Sequence, residues 1–143
     1  MLTMTTQPMT GPTTETVRVA IVDDDPGIRT VLRLLLAASG RAVLVAEADG
    51  EDTAAVALRR ASPDIVLLDH DLGRSCGLAL VPSARELCPD AMVAVFSAKP
   101  AELAASASLR AGADRYYEKS LLGATFVDHL AADLADHRRR TTG

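Results

Sequence analysis

Residues 63–78 read P-D-I-V-L-L-D-H-D-L-G-R-S-C-G-L and contain the pattern that decides the fold. The run I-V-L-L lacks polar alternation, which predicts a central parallel strand that is covered on both faces. The strand ends in Asp69, and Asp71 follows in a loop closed by Gly73 and Gly77. Open α/β sheets bind ligands at the carboxyl ends of their strands, so Asp69 is a candidate functional residue. Taken alone, Asp69 is explained equally well as a residue that starts a turn.

The composition predicts one soluble domain and argues against nucleic-acid binding. Only 3% of the 143 residues are aromatic and none is Trp, so base stacking is disfavoured, and the net charge of −4 gives no basic footprint. The one basic run, residues 138–140, suits the end of a last helix. Cys76 and Cys88 have no metal or redox spacing, which predicts two reduced thiols in a cytoplasmic protein.

The chain divides into a leader, one domain and a short tail. Residues 1–16 are rich in Thr and Pro and lack the features of a signal peptide, which predicts a disordered leader. The domain is predicted over residues 17–139, and residues 140–143 form the tail. No stretch is long and apolar enough to predict a membrane-spanning helix.

Five strand–helix units are predicted within the domain. Strands are expected at residues 17–22, 42–46, 64–69, 91–96 and 114–118. Helices are expected at about residues 26–39, 51–61, 78–87, 100–112 and 125–138. Asp25 is the expected N-cap of the first helix, and Gly40 ends it. This alternation predicts a flavodoxin-like doubly wound α/β fold, a three-layer sandwich around a parallel sheet of strand order 2-1-3-4-5.

In that order a crevice lies between strands 1 and 3, and polar residues converge on it. Strand 1 brings Asp23 and Asp24, strand 3 brings Asp69, and strands 4 and 5 bring Ser97 and Lys119. Three carboxylates so close together repel each other unless a cation intervenes, and Mg²⁺ (or Mn²⁺) prefers such oxygen ligands. A carboxylate can also act as a covalent nucleophile towards phosphorus, with a Lys and a hydroxyl neutralising the transferred group. The set therefore predicts phosphoryl chemistry.

The sequence resembles a known family, the receiver domain of two-component response regulators, over residues 17 to about 139. Four segments carry the resemblance, in this order: V-A-I-V-D-D-D-P, V-L-L-D-H-D-L, V-F-S-A and A-G-A-D-R-Y-Y-E-K-S. The resemblance implies that Asp69 accepts a phosphoryl group from a phosphohistidine on a sensor histidine kinase or a histidine phosphotransfer protein. It implies a regulator of bacterial signalling, of the single-domain chemotaxis type, and no enzyme beyond its own phosphoryl transfer and dephosphorylation.

The resemblance also implies a role for each matching residue. Asp24 and Asp69 would ligate Mg²⁺ directly, and Asp23 would act mainly through water. The remaining roles are a backbone carbonyl ligand from Asp71, binding of the phosphoryl oxygens by Ser97 and Lys119, and a switch formed by Ser97 and the aromatic Tyr116.

The output implied by the resemblance is a protein contact. Tyr116 would turn inward as Ser97 is drawn towards the phosphoryl group, changing the surface of the fourth helix, fifth strand and fifth helix. A downstream effector protein would bind this surface, and phosphorylation could bring homodimerisation. Neither nucleic acid nor a membrane is expected as a direct partner. We expect a receiver without its own output domain after the fifth helix, which is either a stand-alone receiver or a piece of a longer regulator.

Four departures from the family pattern surround the site. Gly73 replaces the usual Pro, which predicts a less stiff loop, and Cys76 stands where an acid is common. Ser120 replaces a Pro that is commonly cis, which predicts a trans peptide and an altered loop. Asp71 and Lys99 occupy variable positions that tune phosphoryl lifetime in the family, and we expect them to pair across the entrance of the site.

Three other interpretations stay open at the level of sequence. D-H-D after an apolar strand also resembles the nucleophile motif of haloacid-dehalogenase-type phosphatases, although that motif normally follows the first strand. A nucleotide- or flavin-binding domain would need a Gly-rich loop where this chain has D-D-D-P-G. A degenerate receiver would bind its partners without phosphorylation. This alternative stays open because Gly73 and Ser120 replace residues that are usual in the family.

Overall fold

The apolar runs of the sequence form a five-stranded parallel sheet in the computed structural model, which describes residues 16–72 and 75–142. All neighbouring strands pair in parallel. The strands are β1 (Val17–Val22), β2 (Ala42–Ala48), β3 (Ile65–Asp69), β4 (Met92–Ser97) and β5 (Arg115–Glu118). Their order in the sheet, β2-β1-β3-β4-β5, confirms the predicted order.

Within the described residues, five helices connect and cover the strands, as the periodicity predicts. They are α1 (Pro26–Ser39), α2 (Glu51–Ala61), α3 (Val81–Leu87), α4 (Ala101–Arg110) and α5 (Phe126–Thr142). Asp25 is the N-cap of α1, because its Oδ1 accepts hydrogen bonds from the backbone N–H groups of Gly27 and Ile28. Gly40 ends α1 with φ = 71°, in the left-handed region that favours glycine.

The non-alternating run of β3 is explained by two apolar layers. Ile65 and Leu67 face the layer that contains residues of α1 and α5, including Leu36 and Phe126. Val66 and Leu68 face the opposite layer, which contains residues of α2 and α3, including Leu58 and Val81. Every residue of β3 is buried, so the strand is covered on both faces. Each large apolar side chain buried in this way contributes about 1.5–3 kcal/mol to folding.

The structure differs from the predicted boundaries around α3 and α5. A 3₁₀ turn (Gly77–Leu80) precedes α3, and Asp71–Leu72 pairs with Ser75–Cys76 in a short antiparallel hairpin that the sequence does not predict. Helix α5 continues past the predicted end at residue 138 to Thr142, because Arg139 and Arg140 form ion pairs with Asp136 one turn earlier.

Other predictions are tested only in part. The peptide bond before Ser120 is trans, as are all other described peptide bonds. Gly73 and all but the last residue of the predicted leader (1–16) lie outside the described residues. Among the described helices, none combines the length and apolar character needed to cross a bilayer.

Candidate functional site

Three aspartate carboxylates meet in the crevice between β1 and β3. Asp23 and Asp24 directly follow β1, and Asp69 is the last residue of β3. Each of the three residues offers one carboxylate oxygen, and these three oxygens lie within 4.8 Å of one another. Asp23 and Asp69 are buried, whereas Asp24 is exposed. The sheet therefore brings together the three acids that the strand order predicts.

The two oxygens of the Asp23 carboxylate have different partners. Its Oδ1 accepts a 2.9 Å hydrogen bond from the backbone N–H of Asp25. Its Oδ2 is buried and lies 2.8 Å from Lys119 Nζ in an ion pair. A buried carboxylate oxygen needs positive charge close by, and Lys119 supplies it here. Asp23 also belongs to the acidic cluster that could hold a metal cation.

The Asp69 carboxylate is held among charges of both signs. Its Oδ1 accepts a 3.1 Å hydrogen bond from the backbone N–H of Asp71 and lies 3.3 Å from Lys119 Nζ. Burial and the charge of Asp23 raise the pKa of Asp69 to about 7, while the Asp71 amide and Lys119 oppose that shift. A cation in the crevice favours the ionised carboxylate, which is the nucleophilic form.

Lys119 directly follows β5 and reaches across to the other side of the crevice. Its ammonium contacts the carboxylates of Asp23 and Asp69 and lies 5.8 Å from the centre of the Phe96 ring, within the range of a cation–π contact. Burial opposes the charged form, but the two carboxylates outweigh it and raise the pKa of Lys119. The side chain is therefore a fixed positive charge beside Asp69.

A chain of hydrogen bonds links Ser97 to Tyr116. Ser97 is buried at the end of β4, and its Oγ accepts a 3.0 Å hydrogen bond from the backbone N–H of Lys99. The backbone carbonyl of Lys99 accepts a 2.6 Å hydrogen bond from the Tyr116 hydroxyl. The two residues predicted to form the switch are thus connected through the loop after β4.

Asp71 and Lys99 face each other across the mouth of the crevice, as predicted. Lys99 Nζ lies 3.7 Å from Asp71 Oδ1, and the same oxygen is 3.2 Å from His70 Nδ1. The hydrogen bond with His70, assisted by the charge of Lys99, lowers the pKa of Asp71. The structure leaves untested the proposed role of the Asp71 backbone carbonyl as a metal ligand.

Gly77 allows the backbone after β3 to turn back against the site. Its N–H donates a 2.7 Å hydrogen bond to the carbonyl of His70. A Cβ at this position would lie only 1.7 Å from the carbonyl oxygen of Asp69, so a side chain is excluded. The loop that carries Asp71 can therefore close only with glycine at residue 77.

Two residues that support the site were not predicted from the sequence. Arg29 Nη1 donates a 2.6 Å hydrogen bond to the backbone carbonyl of Asp23, and its guanidinium also pairs with Glu47. The side chain of Glu118 accepts a 2.8 Å hydrogen bond from the backbone N–H of Ala101. The first contact spans six residues and the second spans 17, and the local pattern contains no signal for either.

Comparison with known proteins identifies the family. A family model described as the response regulator receiver domain matches residues 19–131. The chain belongs to the response regulator receiver domain family. Response regulator MprA from Mycolicibacterium vanbaalenii is 33% identical to this receiver domain over 126 residues, which cover 88% of this chain and 52% of that protein.

Two further comparisons agree with this assignment. The transcriptional regulatory protein YxjL from Bacillus subtilis is 28% identical over 117 residues, covering 81% of the receiver domain and 53% of that protein. The crystal structure of a LuxR-family two-component response regulator from Aurantimonas sp. superimposes with a TM-score of 0.75. That structure is 30% identical, and the match covers 85% of this chain and 87% of that one.

The receiver domain spans about half the length of the curated relatives it matches. One of these relatives is named a transcriptional regulatory protein. The expectation that nucleic acid is no direct partner is therefore unsupported for the whole protein. The single-domain chemotaxis type likewise stays a prediction. Membership of a family of signalling proteins agrees with the expectation that the chain is not a classical enzyme.

Proposed function

We propose that this receiver domain accepts a phosphoryl group on Asp69 from a phosphohistidine of a sensor histidine kinase or a histidine phosphotransfer protein. The observation that carries the proposal is the position of the Asp69 carboxylate. It is buried at the end of β3, with Lys119 Nζ 3.3 Å away and two further carboxylates in the same crevice. This arrangement suits a carboxylate nucleophile that attacks an anionic phosphoryl group.

The transfer consists of one bond formed and one bond broken. An oxygen of Asp69 attacks phosphorus, and the P–N bond of the phosphohistidine breaks as the P–O bond forms. The imidazole nitrogen keeps the bonding electrons and takes up a proton from solvent. Lys119, already beside Asp69, offsets the negative charge of the phosphoryl oxygens, and the Ser97 hydroxyl donates a hydrogen bond to one of them.

The acidic cluster fits Mg²⁺ or Mn²⁺ as cofactor. All three side chains offer oxygen atoms, which these hard cations prefer, and these oxygens lie within 4.8 Å of one another. Asp24 and Asp69 would bind the ion directly, Asp23 mainly through water, and the backbone carbonyl of Asp71 would complete the protein ligands. The bound ion supplies positive charge that neutralises the phosphoryl group.

The output would be a changed surface on α4, β5 and α5. When Ser97 Oγ turns towards the phosphoryl group, it gives up its hydrogen bond with Lys99, whose carbonyl holds the Tyr116 hydroxyl. The position of Tyr116 thereby follows the state of Asp69, and an effector protein or a second copy of the chain can distinguish the two states.

Incubation with acetyl phosphate and Mg²⁺, followed by intact mass measurement, tests the proposal. We expect a gain of one phosphoryl group in the wild type and in Asp25→Asn, because Asn keeps the N-cap. Asp69→Asn and samples with a metal chelator should gain none. A folded wild type that gains no phosphoryl group from any donor would favour the degenerate receiver instead. Sustained turnover of a small phosphate ester would favour a phosphatase of the haloacid-dehalogenase type.

A further inference from the structure

Glu118 occupies a position between the candidate site and α4. It pairs directly with Ser97 in the register of β4 and β5, and Lys119 is the next residue along the chain. Its backbone therefore lies beside both residues proposed to bind the phosphoryl group. Its side chain points elsewhere, because Oε2 accepts the 2.8 Å hydrogen bond from the backbone N–H of Ala101, the first residue of α4.

This carboxylate supplies the cap that α4 lacks in its own sequence. The N-cap residue is Pro100, which makes no side-chain hydrogen bond to the helix. The first N–H groups of a helix need acceptors from outside it, and a negative charge there also interacts favourably with the helix dipole. Glu118 meets both needs from the neighbouring strand.

Ser120 orients the capping carboxylate. Its hydroxyl donates a 3.3 Å hydrogen bond to Oε1 of Glu118, the oxygen that does not bind Ala101. Proline at residue 120, the usual residue in this family, has no such donor. The departure from the family pattern thus gives this chain an additional contact that holds Glu118 against α4.

The Tyr116 hydroxyl holds the same loop from a second point on β5. It binds the carbonyl of Lys99, two residues before the amide that Glu118 binds. Residues 98–100 connect Ser97 to α4. Ser97, before this segment, pairs with β5, and the side chains of Tyr116 and Glu118 hold the end of the segment that leads into α4. A displacement of Ser97 cannot be absorbed within so short a segment without affecting the first turn of α4.

We propose that Glu118 is a positioning residue that clamps the amino end of α4 to β5 and transmits a displacement at Ser97 to this helix. The inference rests on the proposed phosphorylation of Asp69, although the clamp itself exists in the unmodified protein. Glu118 contacts neither the carboxylates of the crevice nor Lys119 among the contacts of the described residues, so its role is distinct from phosphoryl acceptance.

The clamp is tested by amide hydrogen exchange of Ala101 in the unmodified protein. We expect Glu118→Ala to speed this exchange about tenfold, in line with the loss of a hydrogen bond to a charged acceptor. Glu118→Gln keeps an acceptor oxygen and should restore most of the protection. Glu102→Ala is the matched control, since it removes an exposed carboxylate from the same turn and should leave the exchange within about twofold of the wild type. Equal exchange in Glu118→Ala and the wild type would overturn the clamp.

Transmission is tested by the amide resonances of residues 101–104 before and after treatment with acetyl phosphate and Mg²⁺, with intact mass measured on each sample. Wild type and Glu102→Ala should show the same shifts. Glu118→Ala should gain the phosphoryl group normally yet show shifts less than half as large, with Glu118→Gln intermediate. If the Ala variant does not fold, Glu118→Gln provides the test, and shifts as large as those of the wild type would contradict transmission.

Three results contradict transmission by Glu118. Undiminished shifts in a phosphorylated Glu118→Ala would show that α4 responds without the clamp. A folded Glu118→Ala that gains no phosphoryl group would assign Glu118 to the acceptance step instead. A wild type that gains none would overturn the proposed function and transmission together, whereas the exchange of Ala101 would still decide whether the clamp exists.

Discussion

At the scale of single residues, the charge balance around Asp69 determines what this carboxylate can do. Asp23 and burial disfavour its ionised form, while Lys119 and the amide of Asp71 favour it. The result is a pKa of about 7, where its ordinary value is 3.8. A bound cation would stabilise the ionised form of this carboxylate. Phosphorylation would move the negative charge to the phosphoryl oxygens, which nearby positive groups neutralise more fully.

In metal-free protein, Asp69→Asn should stabilise the fold at neutral pH. The folded protein binds the Asp69 proton more tightly than the unfolded chain does, so the carboxyl disfavours folding increasingly as the pH rises from about 4 to about 7. The Asn variant should be more stable by about 1–3 kcal/mol at pH 7.5, and this gain should vanish below about pH 4. Urea unfolding in a chelator across this pH range measures the difference.

The exposed Asp90 provides the control for this measurement. Asp90→Asn makes the same chemical change away from the crevice and should leave the pH dependence of unfolding unchanged. A destabilised Asp69→Asn at pH 7.5 would mean that attraction to Lys119 outweighs burial and the repulsion from Asp23.

Gly77→Ala should disrupt the site because the new Cβ would overlap the carbonyl oxygen of Asp69. We expect a loss of at least about 3 kcal/mol of unfolding free energy and loss of phosphoryl acceptance. Gly50→Ala is the matched control, since nothing lies within 4 Å of its Cβ and its φ of −177° is extended. Thermal unfolding compares the two, and equal effects would contradict the close approach.

At the scale of elements, the loops after β3 and β4 form the mouth of the crevice. Asp71 belongs to the hairpin that follows β3, and Lys99 belongs to the loop between β4 and α4. Their ion pair spans the mouth at 3.7 Å with both side chains partly exposed. We propose that the pair hinders water from reaching a phosphoryl group on Asp69.

Breaking this pair should shorten the lifetime of the phosphoryl group. Asp71→Asn and Lys99→Ala should each speed dephosphorylation about two- to fivefold, a range that matches the strength of an exposed ion pair. The double variant should be no faster than the faster single variant, and Lys99→Arg should preserve the lifetime. Loss of the adduct over time, followed by mass, gives the rates. Unchanged lifetimes in both single variants would refute the idea.

The elements also indicate where sequence reasoning succeeds and where it stops. The Asp25 cap and the Gly40 stop follow from local backbone chemistry, and the pairing of Asp71 with Lys99 is expected from the positions that the two residues occupy in the receiver family pattern. The cap that Glu118 provides for α4 depends on a side-chain contact from the end of the next strand, 17 residues along the chain, which no local pattern indicates. The final turns of α5 are polar, so no apolar period predicts them, and their ion pairs with Asp136 appear only in the structure.

At the scale of the whole molecule, the strand order explains why residues from four strands converge. Placing β1 beside β3 brings Asp23 and Asp24 to Asp69, and the addition of β4 and β5 brings Ser97 and Lys119 to the same edge. The sequence predicted this order because alternating strands and helices permit few topologies. Two apolar layers hold the sheet, so the charged crevice rests on a rigid support.

Binding of Mg²⁺ should stabilise the whole domain, because the folded crevice brings together carboxylates that are dispersed in the unfolded chain. At about one hundred times the dissociation constant, the expected gain is about 2.7 kcal/mol. Asp24→Asn should lose this gain, whereas Asp25→Asn should keep it, since Asp25 caps α1. Unfolding midpoints in increasing Mg²⁺ test this, and equal gains in both variants would contradict the proposed ligands.

Phosphorylation of Asp69 is tested most directly by locating the phosphoryl group in the chain. After treatment with acetyl phosphate and Mg²⁺, borohydride reduces an aspartyl phosphate to homoserine, and peptide mass spectrometry identifies the converted residue. We expect homoserine at residue 69 and nowhere else, with no conversion when the metal is chelated. Conversion at Asp23 or Asp24, or conversion at residue 69 that is independent of metal, would contradict this expectation.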